Sequence, residues 1–228
     1  MNTVAMIGHT GVVGSRVAHH LLARDDVGRV VALGRRPAPL QDERLEFLRA
    51  DLQSASAITS QLPDELTLAI SCIGTTLQKA GSKAAFRAVD HDAVLAFAEA
   101  ARAKGARRLL SLSSIGASAR SRSFYLQVKG QTEDDLAQLG FPQLTILRPS
   151  LIDDQGTRPE QRVGERVALS LSGAFFGLFG KTQHRYAPIP ADVIARALVR
   201  LAFDQITERV RTVESDRLQE LGREVAPS

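Results

Sequence analysis

Residues 3–24, TVAMIGHTGVVGSRVAHHLLAR, read as a strand, a glycine turn and a helix, and the rest of the chain is organised around them. Val4, Ala5, Met6 and Ile7 form a short apolar run without helical period, as suits a strand buried on both faces of a parallel sheet. Gly8, Gly11 and Gly14 follow at intervals of three. In a strand-to-helix turn each missing side chain has a use: Gly8 for the tight turn, Gly11 for the approach of a phosphate, Gly14 for close helix packing. The helix, with Val13, Val17, Leu21 and Leu22 inward, aims its unsatisfied N–H groups and positive dipole end at that phosphate. The spacing is GxxGxxG rather than the commoner GxGxxG, but its position directly between an apolar strand and an amphipathic helix is the context that a dinucleotide cradle requires. The expected cradle contacts are Gly8, Thr10, Gly11, Val12, Val13 and Gly14, with His9 a solvated loop side chain and His19 and His20 on the helix surface.

Outward from the cradle, a second strand, Arg29 to Leu33, ends at Gly34-Arg35-Arg36-Pro37. The residue beyond this strand faces the adenosine ribose: a carboxylate there bonds the 2′-hydroxyl of NAD, whereas arginine accommodates the 2′-phosphate of NADP. Asp25 and Asp26 come too early to play the acidic part, so Arg35 and Arg36 favour NADP(H), with NAD(H) as the alternative. A third strand, Leu45 to Ala50, delivers Asp51 and Leu52 toward the adenine. A fourth, Leu66 to Ile73, brings Cys72, Ile73 and Gly74 to the coenzyme, with Cys72 as core rather than nucleophile. After a loop from Gln78 to Ser82, a helix is expected from Lys83 to Lys104. Its buried stripe is Phe86, Val89, Ala93, Phe97 and Ala100, and Asp90, His91 and Asp92 across its start read as partly solvated polar residues, with reach toward an active site as the alternative.

A fifth strand, Arg107 to Leu112, carries Ser113 and Ser114 to the same edge. The following helix sets Tyr125 and Lys129 four residues apart on one face. A phenol is a weak acid–base group at neutral pH, and a neighbouring ammonium favours its ionised form. With a serine hydroxyl to hold a carbonyl oxygen, the pair can deliver or remove a proton. A sixth strand, Leu144 to Leu147, ends at Arg148-Pro149-Ser150-Leu151, and a helix from Ala191 to Phe203 and a seventh strand near Arg209 to Val213 complete the sheet.

At 228 residues, 44% hydrophobic and 24% charged, the chain suits one domain over 1–228. The lone Cys72 excludes an internal disulfide, and the first strand begins too close to Met1 for a secretory signal, from which a cytoplasmic location is expected. No run reaches the roughly 18 apolar residues of a membrane span. The net charge of +4 is spread along the chain and aromatics are 5%, which leaves no nucleic-acid stripe but suits anionic ligands. Histidine and cysteine spacing gives no metal site.

The ordered set GHTGVVG at Gly8, GRRP at Gly34, SCIGTT at Ser71, KAG at Lys79, LSSIGA at Leu112, YLQVKG at Tyr125, Glu133 and LTILRPSLI at Leu144 resembles the short-chain dehydrogenase/reductase superfamily. Within it the chain is similar to the atypical branch with Tat-interacting-protein-like oxidoreductases. The resemblance implies serine–tyrosine–lysine catalysis on a bound nicotinamide by Ser114, Tyr125 and Lys129, with Ser113 as the alternative serine. It also implies backbone contacts of Pro149 and Ser150 to the nicotinamide amide, with Leu151 beneath the ring, and a substrate cover formed mainly by 151–190. In that cover Phe175, Phe176 and Phe179 line a pocket, a subunit interface or plain core. Two departures stand out: Ser114 precedes Tyr125 by only eleven residues, and Asp90-His91-Asp92 replaces the asparagine that often completes the catalytic set. Several members of the branch bind NADP(H) yet are known better as regulatory or interaction proteins, so a non-catalytic NADP(H)-sensing module, with a protein partner or a homodimer, is the alternative. The joint presence of Ser114, Tyr125 and Lys129 favours an enzyme acting on a small carbonyl or alcohol. The expected fold is a single doubly wound α/β domain, strands ordered 3-2-1-4-5-6 with a seventh beyond.

Overall fold

The computed structural model describes residues 1–153, 186–205 and 207–223. Seven strands build one sheet: β1 (Asn2–Ile7), β2 (Val27–Gly34), β3 (Leu45–Arg49), β4 (Leu68–Ser71), β5 (Arg108–Leu112), β6 (Gln143–Arg148) and β7 (Val210–Glu214). Their order is β3-β2-β1-β4-β5-β6-β7, and every neighbouring pair is parallel. All strands therefore end on one edge, and the order reverses between β1 and β4, where doubly wound sheets open a ligand crevice. The expected topology holds. The strands differ from the sequence reading by one or two residues at their ends, most at β4, whose ladder covers only the four central residues of the expected run.

Alternation along the strands divides the core in two. Val4 and Met6 of β1 face α1 (Val12–Leu22), α7 (Ala191–Phe203) and α8 (Ser215–Arg223), where Val17, Leu21, Ile194, Leu198 and Leu218 are buried with them. Ala5 and Ile7 face the other layer, α2 (Ala55–Gln61), α5 (Ala93–Ala103) and α6 (Phe124–Gln138), through Ile58, Phe97, Ala101 and Leu136. Helix α7 has the predicted ends, whereas α2 and α8 had no expected counterpart. The signal for α8 is brief: Leu218 and Leu221 three apart, then Gly222, whose missing Cβ lets the helix approach the Val193 carbonyl of α7.

The expected loop from Gln78 to Ser82 is in part a helical turn, α3 (Leu77–Ala80), capped by the Thr76 hydroxyl, which accepts from the Lys79 N–H at 3.2 Å. Helix α4 (Lys83–Arg87) passes through a π-helical turn, Ala88–Asp92, into α5. The π turn places an extra residue in the helix and rotates the side chains beyond it about the helix axis. In consequence Val89, expected in the buried stripe, is half-buried, while Asp90 and His91, expected to be partly solvated, are buried.

Beyond β6 a short parallel pair joins Ile152–Asp153 to Ile189–Pro190, fixing both ends of the segment between them. Most of the expected substrate cover, with Phe175, Phe176 and Phe179, lies outside the described residues. Among the described residues no helix is long and apolar enough to cross a membrane.

Candidate active site

At the end of β1, Gly8 has φ +82°, and a Cβ there would lie 2.3 Å from the Cys72 carbonyl carbon. A Cβ on Gly14 would lie 2.1 Å from the Gly8 carbonyl oxygen, so the first turn of α1 rests directly on the loop. Gly11 is the N-cap of α1, no side chain caps that end and the first turn carries no carboxylate. The helix thus presents free N–H groups and its positive dipole end to an anion. Thr10 and Val12 are half-buried beside this opening and Val13 is buried beneath it.

Arg35 and Arg36 follow β2 at the same edge, both exposed and neither paired with a carboxylate among the described residues. Asp51, after β3, is exposed, and its Oδ1 accepts from the Gln53 N–H at 3.1 Å, while Leu52 packs on the core. His9 corrects the sequence reading. It is only 2% exposed, its Nε2 lies 2.8 Å from the Arg36 carbonyl and its ring packs on Phe47. A loop polar residue reads as solvated by default, and here a carbonyl from the end of the next strand supplies the partner that lets it be buried.

Cys72 is buried, and burial pushes its thiol up to about 12, so it is inert core as expected. Ile73 and Gly74 lead out of β4 to a buried ion pair that the sequence did not disclose: Lys129 Nζ lies 2.8 Å from Asp90 Oδ1. The second Asp90 oxygen accepts from the Thr75 N–H at 2.8 Å, and the Thr132 hydroxyl donates to the Asp90 carbonyl at 2.9 Å. Gly74 leaves the space: a Cβ there would lie 3.4 Å from Asp90 Oδ1 and 3.8 Å from Lys129 Nζ. Burial works against the Lys129 ammonium, but the Asp90 carboxylate, with Tyr125 and Glu133 nearby, raises its pKa above the ordinary lysine value. One turn before Lys129, the half-buried Tyr125 ring rests on the fully buried Phe86 at 5.5 Å.

The two serines after β5 differ in their bonds. Ser113 donates a short hydrogen bond to buried Glu133, which also accepts two bonds from Arg148, one of them from Nε at 3.0 Å. Arg148 reaches Glu214 as well, at 3.4 Å, so this network ties the ends of β5, β6 and β7 to α6. The Ser114 hydroxyl donates to the Ile115 carbonyl at 3.5 Å, the outer limit of a hydrogen bond. Beyond β6, Pro149 is buried and its carbonyl accepts from the Ile115 N–H at 2.9 Å, while Leu151 is 39% exposed at the crevice. Ser150 is buried. Its N–H donates to the Ser215 hydroxyl at 3.1 Å and its own hydroxyl to the Ala187 carbonyl, so both are spent within the fold.

Comparison with known proteins gives this arrangement a family. Residues 8–174 match the NAD(P)H-binding family. The chain is 33% identical over 216 residues to Protein fmp52, mitochondrial, of Emericella nidulans, which covers 92% of this chain and 91% of that protein. The chain is an atypical short-chain dehydrogenase/reductase. It is also similar to Protein HTATIP2 of Rattus norvegicus, 28% identical over 224 residues, 97% of this chain and 90% of that one. Its fold matches the solved structure of MoeE5 in complex with UDP-glucuronic acid and NAD, with a TM-score of 0.72 at 18% identity, over 94% of this chain and 76% of that one. The family implies a nicotinamide coenzyme, and the uncapped α1 N-terminus with a cradle that any Cβ would fill fits its pyrophosphate.

One expectation is overturned. The cytoplasmic location inferred from the lone cysteine and the early first strand is contradicted by the fungal relatives, which are named mitochondrial. A cysteine count reports on redox conditions and cannot separate two reducing compartments.

Proposed function

We propose that the chain is an NADP(H)-dependent oxidoreductase that interconverts a carbonyl and an alcohol, with Ser114, Tyr125 and Lys129 at the reacting group. The observation that carries this reading is the pairing of Lys129 with Asp90 one helical turn from Tyr125. It holds a buried ammonium beside a phenol whose ring is braced by Phe86. Ser114 is favoured over Ser113 because the Ser113 hydroxyl is committed to Glu133. When bound, the reduced nicotinamide supplies a hydride. The Ser114 hydroxyl then donates to the substrate carbonyl oxygen, and the Tyr125 hydroxyl protonates that oxygen as charge develops on it. The Lys129 ammonium stabilises the phenolate left behind, and Asp90 keeps that ammonium in place.

For the coenzyme, Arg35 and Arg36 supply guanidinium groups where a 2′-phosphate would lie, and no carboxylate there favours an unmodified ribose. Gly74, Ile73 and the Pro149–Leu151 segment line the nicotinamide side of the same crevice. The test is NADPH oxidation against a panel of carbonyl compounds by wild type and Tyr125→Phe. The variant loses one hydroxyl, so turnover should fall by roughly 100- to 10,000-fold while NADPH affinity stays nearly unchanged. A wild type that turns over nothing on the panel, yet binds a protein partner only when loaded with NADPH, would overturn the catalytic reading.

A further inference from the structure

We propose that His9 is a positioning residue for coenzyme selectivity, holding the backbone on either side of Arg35 in place from within the pyrophosphate loop so that the Arg35 guanidinium meets the ribose phosphate; this rests on the NADP(H) reading above. His9 follows Gly8 directly, yet its ring turns away from the cradle and lodges under the end of β2. A carbonyl only accepts, so the 2.8 Å contact to Arg36 requires the proton on His9 Nε2. The ring fits because residue 34 is glycine: a Cβ at Gly34 would lie 3.0 Å from the His9 Cε1. Phe47 of β3 closes the other side at 5.7 Å between ring centres. Burial lowers the His9 pKa, against the Arg36 and Leu33 carbonyls that raise it, and so favours the neutral ring.

The consequence falls on Arg35. Upstream, the Gly34 carbonyl accepts from the Ala50 N–H at 3.2 Å; downstream, the Arg36 carbonyl is held by His9. Pro37 has no N–H with which to anchor the exit. Arg35 therefore sits between two fixed carbonyls while its own guanidinium remains exposed and unpaired with any carboxylate among the described residues. Such preorganisation matters where the Arg35 guanidinium must meet a phosphate, and hardly at all for a coenzyme that lacks it. One side chain thus couples the loop that holds the pyrophosphate to the loop that reads the ribose.

The experiment titrates NADPH and NADH, by their fluorescence, into wild type, His9→Leu, His9→Gln, Arg35→Ala and the double variant His9→Leu/Arg35→Ala. Leucine fills the site without a donor, whereas glutamine keeps an N–H at about the same reach. His9→Leu should weaken NADPH by about two- to tenfold, the worth of one hydrogen bond, and leave NADH within about twofold. His9→Gln should retain most of the wild-type selectivity. In the Arg35→Ala background, His9→Leu should change the two coenzymes equally, because a residue acting through Arg35 has nothing left to position. Equal weakening of both coenzymes by His9→Leu alone, or a selective loss that persists without Arg35, would overturn the proposal. If Arg35→Ala leaves the NADPH-to-NADH ratio unchanged, the NADP(H) reading fails on that variant alone and takes this inference with it. Should His9→Leu not fold, Gly34→Ala presses on the ring from outside and should shift selectivity in the same direction; unchanged selectivity there would refute the role of His9.

Discussion

At the ends of β1 and β2 the crevice is lined by backbone: Gly8, Gly11 and Gly14 bring peptide groups to the surface, and the His9 side chain turns away from it to bond a carbonyl. At the ends of β4, β5 and β6 it is lined by side chains that bond one another, Asp90 with Lys129, and Glu133 with Ser113 and Arg148. Both halves serve one parallel sheet, yet they should fail in different ways. The backbone half is sensitive to any added atom and holds no buried ion pair among the described residues; charge enters it through the exposed Arg35 and Arg36. The side-chain half is sensitive to lost charge, because Asp90, Lys129 and Glu133 are buried and a survivor among them cannot return to water.

The largest effect is therefore expected in the second half. Asp90→Ala strands the Lys129 ammonium at a site where both side chains are at most 7% exposed. Breaking one side of a buried pair costs about 3–5 kcal/mol, which a urea unfolding curve would register as a lower midpoint. Asp90→Asn also removes the charge but keeps the shape and one acceptor oxygen, which serves either the Thr75 N–H or the ammonium, so it should lose less stability than Asp90→Ala. Equal losses for the two variants would mean that the lost charge alone sets the cost; a loss confined to Asp90→Ala would mean that shape rather than charge matters here, and the contrast between the halves would collapse. A smaller effect is expected from Gly14→Ala in the first half. The added methyl collides with the Gly8 carbonyl, and forced overpacking of this kind costs about 1–3 kcal/mol. Because the strain falls on the cradle, coenzyme affinity measured by titration should drop more than the unfolding midpoint suggests. A normal affinity in a destabilised Gly14→Ala protein would show that the glycine serves helix packing alone.

The same division explains what could be read in advance. Parallel strands buried on both faces leave apolar runs, and a backbone cradle leaves a glycine spacing, so the strand order and the Gly8–Gly14 turn were legible in one dimension. Tyr125 and Lys129 were legible because helical periodicity alone puts them on one face. Asp90 was not. Its burial follows from a π turn, a change of one residue in hydrogen-bond register that leaves no pattern in the sequence and turns Val89 partly out as it turns Asp90 in. The bond that commits the Ser113 hydroxyl was not legible either, because its partner Glu133 lies on α6, twenty residues beyond Ser113. His9 needed a carbonyl 27 residues away, and no local rule distinguishes a buried histidine from a solvated one in a loop.

That histidine also gives the smallest expected effect, and one that tests whether the buried part of the first half is indifferent to protons. In the folded protein His9 has a pKa below the ordinary imidazole value, with burial as the main cause and the Arg36 and Leu33 carbonyls opposing it. The unfolded chain takes up a proton near pH 6.5, whereas the folded protein resists until the pH is lower. Between those two values the unfolded state binds more protons, so stability rises with pH across that window and falls on acidification through it. His9→Gln carries no titrating group. Its unfolding midpoint, followed from pH 7.5 to pH 5, should decline less steeply than that of wild type, with the two curves parallel above about pH 7.5, where the ring is neutral in both states. Curves that stay parallel throughout would mean that His9 titrates alike in the folded and unfolded chains, and that its burial does not make the β1–β2 edge sensitive to protons.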